Sequence, residues 1–348
     1  MALYNELIDR KELLDFSQGL TIARPAYLGS RLFPDQKTQY IYQEFSRLAE
    51  NGNLPQIASV HAFDTEASIA SRIPMEKVEV EELLIKEKIN QTESIRRMFR
   101  GFTPDNVKSY VFDDAARLFE GVVARAEKAK IDAIATGKYT IKENNLNMTI
   151  DYGIPEENKV STLWDADADI LGDLRAWRML AIEKGVVPNV AITTEAVVTT
   201  MMTNASIQKA IFGSSGTGIL PTISQINALL QAQVGITVET YEQRYAAAST
   251  VDGKVKLTSQ RFFPENTFVM LSTGMNGTLG IGLWGVTPEE EEQGGAFDSK
   301  RQQQYVTITQ WETPDPTIVW TKASGVFMPI MPNVYGHIIA NVASGAEG

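Results

Sequence analysis

Cysteine is absent from all 348 residues, which excludes disulfides, thiolate metal sites and cysteine nucleophiles at once. That absence fits a cytosolic product. Histidine is nearly absent: His61 and His337 are the only two, and they lack the repeated spacing that a zinc site needs. Each reads as an ordinary packed or surface histidine. No run of about 18 apolar residues occurs, so no membrane contact by a spanning helix is expected. The opening, Met1 to Asp15, mixes Glu6, Asp9, Arg10, Lys11 and Glu12 with leucines, unlike a secretory signal. Positive charge is in short supply, with 32 Lys and Arg against 43 Asp and Glu and a net charge of −11. A surface that grips nucleic acid broadly needs clustered basic residues, so none is expected.

Catalytic vocabulary is also missing. Gly280-Ile281-Gly282-Leu283-Trp284-Gly285 matches G-x-G-x-x-G letter for letter. A dinucleotide fingerprint, however, needs a helix after its glycines to aim amides at a pyrophosphate, and here Val286-Thr287-Pro288 and a glutamate run follow. Glycines in a tightly packed strand account for it better. Gly213 to Gly218 lacks the Gly-Lys-Ser/Thr ending of a phosphate loop and reads as a flexible connector. Asp165, Asp167 and Asp169 imitate a calcium loop, but Ile170 and Ala176 stand where glycine and glutamate are required. They read instead as acidic residues leading into a helix N-terminus. Glu289 to Glu292 reads as a solvated charged face. No G-x-S-x-G elbow occurs. No catalytic, cofactor-binding or metal-binding residue is assigned, and no cofactor is expected.

What is present is one long helix. Thr103 suits an N-cap, Pro104 the first helical position and Asp105 the first turn. Apolar or small residues then recur at Val107, Val111, Ala115, Leu118, Val122, Ala126, Ala129 and Ala133, a mean step of about 3.7 residues, which is the helix period. Gly137 ends the run. At 1.5 Å per residue such a helix is roughly 50 Å long, longer than a compact domain of this size needs. It predicts a beam in an otherwise strand-rich chain.

The remaining zones follow from local pattern. Residues 1–55 carry short apolar groups punctuated by Gly19, Pro25, Gly29, Pro34 and Pro55, which predicts an extended arm with a short helix near 38–49. Alternation from Gln56 to Asn90, as in Val78 and Val80 among Lys77, Glu79 and Glu81, predicts a long hairpin polar on both faces. Such a ribbon cannot bury itself and normally lies on something else. A hairpin is expected around Asn144-Asn145, helices at 167–184, 195–212 and 222–233, and strands at 189–194, 236–241 and 254–258. The last third reads as strand at 267–272, 278–284, 305–311, 317–321 and 334–342.

This order of elements resembles that of tailed-phage major capsid proteins, above all the lambda-type major capsid protein E family. The local likeness includes Thr103-Pro104 opening the helix and Gly137-Lys138-Tyr139-Thr140 closing it. It extends to Asp165–Asp169 ahead of a helix, and to Phe262-Phe263-Pro264-Glu265-Asn266-Thr267 running into a strand. The resemblance implies an α+β chain of the Hong Kong 97-type capsid fold. It assigns 1–55 to the N-terminal arm, 56–92 to the E-loop and 93–163 to the peripheral (P) domain, with its spine helix at 104–136. Residues 164–270 become the axial (A) domain, and 271–348 the P-domain strands with a return to the A domain at the C-terminus.

The function implied is a phage head protein that self-assembles, through hexamers and pentamers, into an icosahedral shell around double-stranded DNA. It would be assembled in the host cytoplasm and carried in the virion, with an inner wall that faces DNA without gripping it. Implied partners are a separate scaffolding protein, since the E-loop is reached by residue 56 unless the chain is already a cleaved product, together with a portal protein and a decoration protein. Some relatives weld neighbours by a lysine–asparagine bond, for which Lys77, Lys86, Lys88, Asn333 and Asn341 are the candidates by position. Arg72, Glu76 and Lys77, near the E-loop tip, are expected to act between subunits. Gly121, inside the spine, is expected either to admit a closely packed strand or to let the helix bend. Two alternatives stand beside this: an encapsulin-like nanocompartment shell protein, and a soluble enzyme.

Overall fold

The computed structural model describes residues 25–343 except 40–41, 49–52, 62, 64–65, 68, 70–71, 73–74, 82, 94–103, 215, 217, 252–253, 292–298 and 304. For 42–48, 76–81, 104–112, 249–251, 254–255 and 299–303 it describes the backbone alone. Most of the arm and the Thr103 N-cap therefore lie outside the described residues. In chain order the elements are α1 (Leu28–Leu32), β1 (Asp35–Lys37), β2 (Tyr42–Leu48), β3 (Met75–Glu81), β4 (Leu83–Gln91) and the spine α2 (Pro104–Thr136). Then come β5 (Lys138–Glu143), β6 (Leu146–Asp151), β7 (Lys159–Ser161), α3 (Ile170–Glu183), β8 (Val190–Thr193), α4 (Glu195–Thr203), α5 (Ala205–Phe212) and α6 (Ile223–Gln233). The chain continues with β9 (Thr237–Thr240), β10 (Arg244–Val251), β11 (Lys254–Arg261), β12 (Thr267–Leu271) and β13 (Ile281–Gly285). It closes with α7 (Pro288–Glu291), β14 (Ser299–Gln303), β15 (Val306–Pro314), β16 (Thr317–Ile330) and β17 (Ile338–Asn341).

The spine is the expected helix, 33 residues long. From Ala115 onward its predicted stripe is buried: Ala115, Leu118, Val122, Ala126, Ala129 and Ala133 are each 4% exposed or less. Small side chains on that stripe let the sheet come close. At Gly325 of β16 an added Cβ would stand 3.0 Å from Val122 Cγ1 and 2.8 Å from the Trp284 ring. Gly137 terminates the helix at φ +67°, donating its N–H to Ala133 O.

Two cores flank a shared sheet. The first joins the spine to a six-stranded sheet in the order β1-β13-β16-β15-β14, with β4 on the other side of β16. The second packs α3 to α6 on a five-stranded sheet ordered β7-β17-β12-β8-β9. Strand β12 serves both: Val269 and Leu271 enter the first core, Phe268 and Met270 the second. Burial on both faces explains its continuous apolar sequence.

Several expectations are corrected. The segment near 38–49 is strand, not helix: Tyr42, Phe45 and Leu48 step like a helix, but residues 42–48 pair antiparallel with 75–81. The polar hairpin expected within 56–92 is thus a ribbon of β2 and β3, while β4 leaves it to pair with β16. The helix expected at 195–212 breaks at Asn204, whose Oδ1 accepts from Ile207 N and so caps α5. Strand β10, which was not expected, pairs with β11. Strand β16 runs to Ile330 instead of stopping at Thr321, because Gly325 and Pro329 look like breakers yet lie in the ladder. The last strand is shorter than 334–342, since 335–336 form a turn.

Candidate self-assembly surfaces

The motifs that could have carried chemistry are filled by the chain itself. Gly280 and Gly282 lie at strand β13, where added Cβ atoms would stand 2.7 Å from Phe33 Cε1 and 2.6 Å from Asp35 Oδ1. They serve packing. Asp169 caps α3, its Oδ1 accepting from Gly172 N, and Asp165 Oδ1 accepts from Asp167 N. Among the described residues no group of three or more His, Cys, Asp or Glu is placed to hold a metal, and no helix is long and apolar enough to cross a membrane.

The first half of the glutamate run is not a solvated face, which corrects the expectation there; Glu291 is exposed as expected, and Glu292 lies outside the described residues. Glu289 is buried, with Oε2 accepting from Ser324 Oγ at 2.8 Å and Oε1 paired with Lys322. Burial pushes its carboxyl up, but the hydrogen bonds from Lys322 and Ser324 outweigh burial and hold it below the usual carboxylate range. Glu290 takes Lys37 at 2.9 Å and Thr307 Oγ1 at 2.7 Å. Partners from distant strands decided this, and the local sequence carries no sign of them.

His337 is buried and His61 exposed. Of the lysine–asparagine candidates, Lys86 and Lys88 lie on β4 as exposed side chains, Lys88 4.2 Å above the Trp320 ring. Asn333 donates to Asn53 Oδ1 of its own chain, and Asn341 Oδ1 accepts from Ala343 N. Lys77 and Glu76 sit in β3, opposite Ser46 and Arg47 of β2; their side chains lie outside the described residues. Arg72 is exposed in the connection that leads into β3. The structure therefore brings Arg72, Glu76 and Lys77 to one end of the ribbon. Among the described residues Gly121 faces no backbone of another element: an added Cβ would meet only Glu87 Oε2, at 3.1 Å.

What the sequence did not single out is apolar. In the β2–β3 connection Ile57, Val60, Phe63 and Ile69 are 97–99% exposed. A three-residue step over Ile57, Val60 and Phe63, out of phase with the alternation expected from Gln56 onward, was the available signal. Leu220 at 62% and Ile219 at 52% are exposed ahead of α6, as is Leu257 at 64% on β11. Single exposed apolar side chains are ordinary, whereas a contiguous apolar surface is what another molecule covers.

A sequence model of the phage major capsid protein E family matches residues 21–342. The chain belongs to that family. No curated protein matches it in sequence. Among solved structures, the protein assigned as the prophage capsid protein of Escherichia coli CFT073 superposes with a TM-score of 0.61 at 16% identity, over 97% of this chain and 99% of its own. A phage-related protein from Bordetella bronchiseptica RB50 reaches 0.55 at 10% identity, over 95% of this chain and 96% of its own. The fold is the Hong Kong 97-type capsid fold. Membership of the major capsid protein E family makes the chain a structural protein of the tailed-phage head, one that self-associates into an icosahedral shell and resides in the virion. The nanocompartment alternative is not favoured, and the family is one of structural capsid proteins.

Proposed function

We propose that this capsid protein encloses double-stranded DNA in shells built of rings of five and six subunits. The lobe around 164–270 is their axial domain, the spine and six-stranded sheet their peripheral domain, and the ribbon the E-loop laid over a neighbour. A scaffolding protein, a portal protein and a decoration protein are the further partners, with assembly in the host cytoplasm. Arg72, Glu76 and Lys77 act between subunits, and Gly121 is the point at which the spine bends.

The observation that carries this is that, among the described residues, β2 and β3 pair only with each other, on a connection whose Ile57, Val60, Phe63 and Ile69 stand in solvent. A two-stranded ribbon is marginal by itself in water, so a neighbouring copy is its natural support. Contacts between unlike surfaces that close into rings let one chain build a large shell. The low count of basic residues suits a wall that confines DNA without holding it. The test is co-expression with the scaffolding protein, followed by sedimentation and negative-stain microscopy. Megadalton shells, lost when Ile57, Val60 and Phe63 are replaced by serine in an otherwise stable subunit, are the expected result. Shells that form equally well without these side chains would remove the E-loop assignment.

A further inference from the structure

The strap at residues 27–37 is seated on the spine by two buried charges that reach away from each other. Glu127, 1% exposed, accepts through Oε1 from Gly29 N at 2.9 Å and from the Tyr241 hydroxyl at 2.8 Å. The N-cap of α1, Tyr27, makes no side-chain capping bond, so the spine carboxylate caps this helix from outside. One turn along the spine, Lys130 is 2% exposed and donates to Asp35 Oδ1 at 2.7 Å, which also accepts from Trp284 Nε1 at 2.9 Å. Strand β1 then adds to the sheet edge, parallel to β13.

Three glycines make room for the strap. A Cβ on Gly29 would press into the Glu127 carboxylate and stand 2.9 Å from Lys130 Cβ; one on Gly280 would stand 2.7 Å from Phe33 Cε1, and one on Gly282 3.1 Å from Lys130 Cε. The glycine motif that imitates a dinucleotide fingerprint is thus half of the strap's seat. Leu32 and Phe33 are its apolar anchors, and Leu32 O accepts from both Leu279 N and Gly280 N.

We propose that residues 27–37 form a latch that docks and undocks as a unit, with Glu127 and Lys130 as its catch. Two states are defined by the same pair of charges. In the docked state Glu127 binds Gly29 and Lys130 binds Asp35. In the undocked state the two, three residues apart on one helix with the acid first, pair with each other, so neither is left buried and uncompensated. Hydrophobic side chains at these positions would offer no second arrangement. The strap lies at the N-terminal end of the described residues, so its state decides whether the chain ahead of it is tied to the spine.

The test uses two variants that touch only the strap side: Asp35→Asn weakens the Lys130 bond, and Gly29→Ala blocks the seat. Both act on the docked state alone. Tryptic cleavage at Arg31–Leu32 in the unassembled full chain reports undocking, and amide exchange at 191–193 and 268–270 reports the cores. The expected result is cleavage at least tenfold faster in Asp35→Asn and faster still in Gly29→Ala, with core exchange in Asp35→Asn equal to that of the parent. Unchanged cleavage in Asp35→Asn would overturn the latch. So would core exchange rising in step with cleavage, because the strap would then belong to the cooperative unit.

Discussion

His337 donates its Nε2 proton to the carbonyl of Ile134, 2.6 Å away in the last turn of the spine. Carbonyls of a final helical turn have no partner within the helix, so this side chain closes the spine from the second lobe. Its Nδ1 has no hydrogen-bond partner among the described residues, and a proton there would be a buried cation. Burial accordingly pushes the imidazole down to about 4 from 6.5. The unfolded chain takes up this proton first as pH falls. Stability supplied by the neutral ring is therefore intact above pH 6.5 and is lost progressively towards pH 4, by roughly 3 kcal/mol in all. In thermal melts of the unassembled subunit, His337→Gln, which keeps a donor for Ile134, is expected to lose less stability than the parent over this window. Parallel pH profiles would show that the ring does not titrate as its setting demands.

Glu289 makes a second stability prediction. Its carboxylate ties α7 to β16 through Lys322 and Ser324, at 8% side-chain exposure for Glu289 and 16% for Lys322. Removing one partner of such a pair leaves the other charge uncompensated, so Glu289→Ala should cost roughly 3 kcal/mol in urea denaturation. Replacing both, as Glu289→Met with Lys322→Met, should recover most of that loss. A double variant as unstable as the single one would mean that Glu289 acts through other contacts.

Charge reversal at the ribbon tests its role between copies. Arg72→Glu with Lys77→Glu reverses two charges of the ribbon, and an exposed ion pair is worth only about 0–1 kcal/mol within one subunit. Subunit melting should stay within about 1 kcal/mol of the parent while the yield of sedimenting shells falls. An equal fall in soluble subunit would mark a folding defect instead.

Much of the fold was legible because local rules and tertiary packing agree in it. The spine follows its apolar period to Gly137, and the β5–β6 hairpin its Asn144-Asn145 turn, both residues at positive φ. Helix α6 opens at Thr222, whose side chain and that of Gln225 form a capping box. What was hidden depends on partners far along the chain. Strands 75–81 and 83–91 have similar polar alternation, yet one pairs with residues 42–48 and the other with 319–327. Gly325 looks like a break and is in truth the place where Val122 and Trp284 approach the sheet. Surface charges were visible by residue type, whereas the exposure of Ile57, Val60 and Phe63 appears only once the cores are known to close without them.

Gly121 separates packing from bending in the spine. Among the described residues an added Cβ there would meet only Glu87 Oε2, at 3.1 Å. Glu87 is exposed on β4, so its carboxylate can give the few tenths of an ångström required. Alanine also gains up to about 1 kcal/mol over glycine inside a helix. Gly121→Ala is therefore expected to yield a subunit at least as stable as the parent, which removes close packing as the reason for glycine. If the residue instead lets the beam bend, as sharp bends in helices need an identifiable cause, the variant should assemble compact precursor shells that expand abnormally. Cryo-electron microscopy of precursor and expanded particles measures this directly, with melting of the free subunit as control. A variant that melts higher and expands like the parent would leave glycine at this position merely tolerated, and the bend would have to be sought elsewhere in the spine.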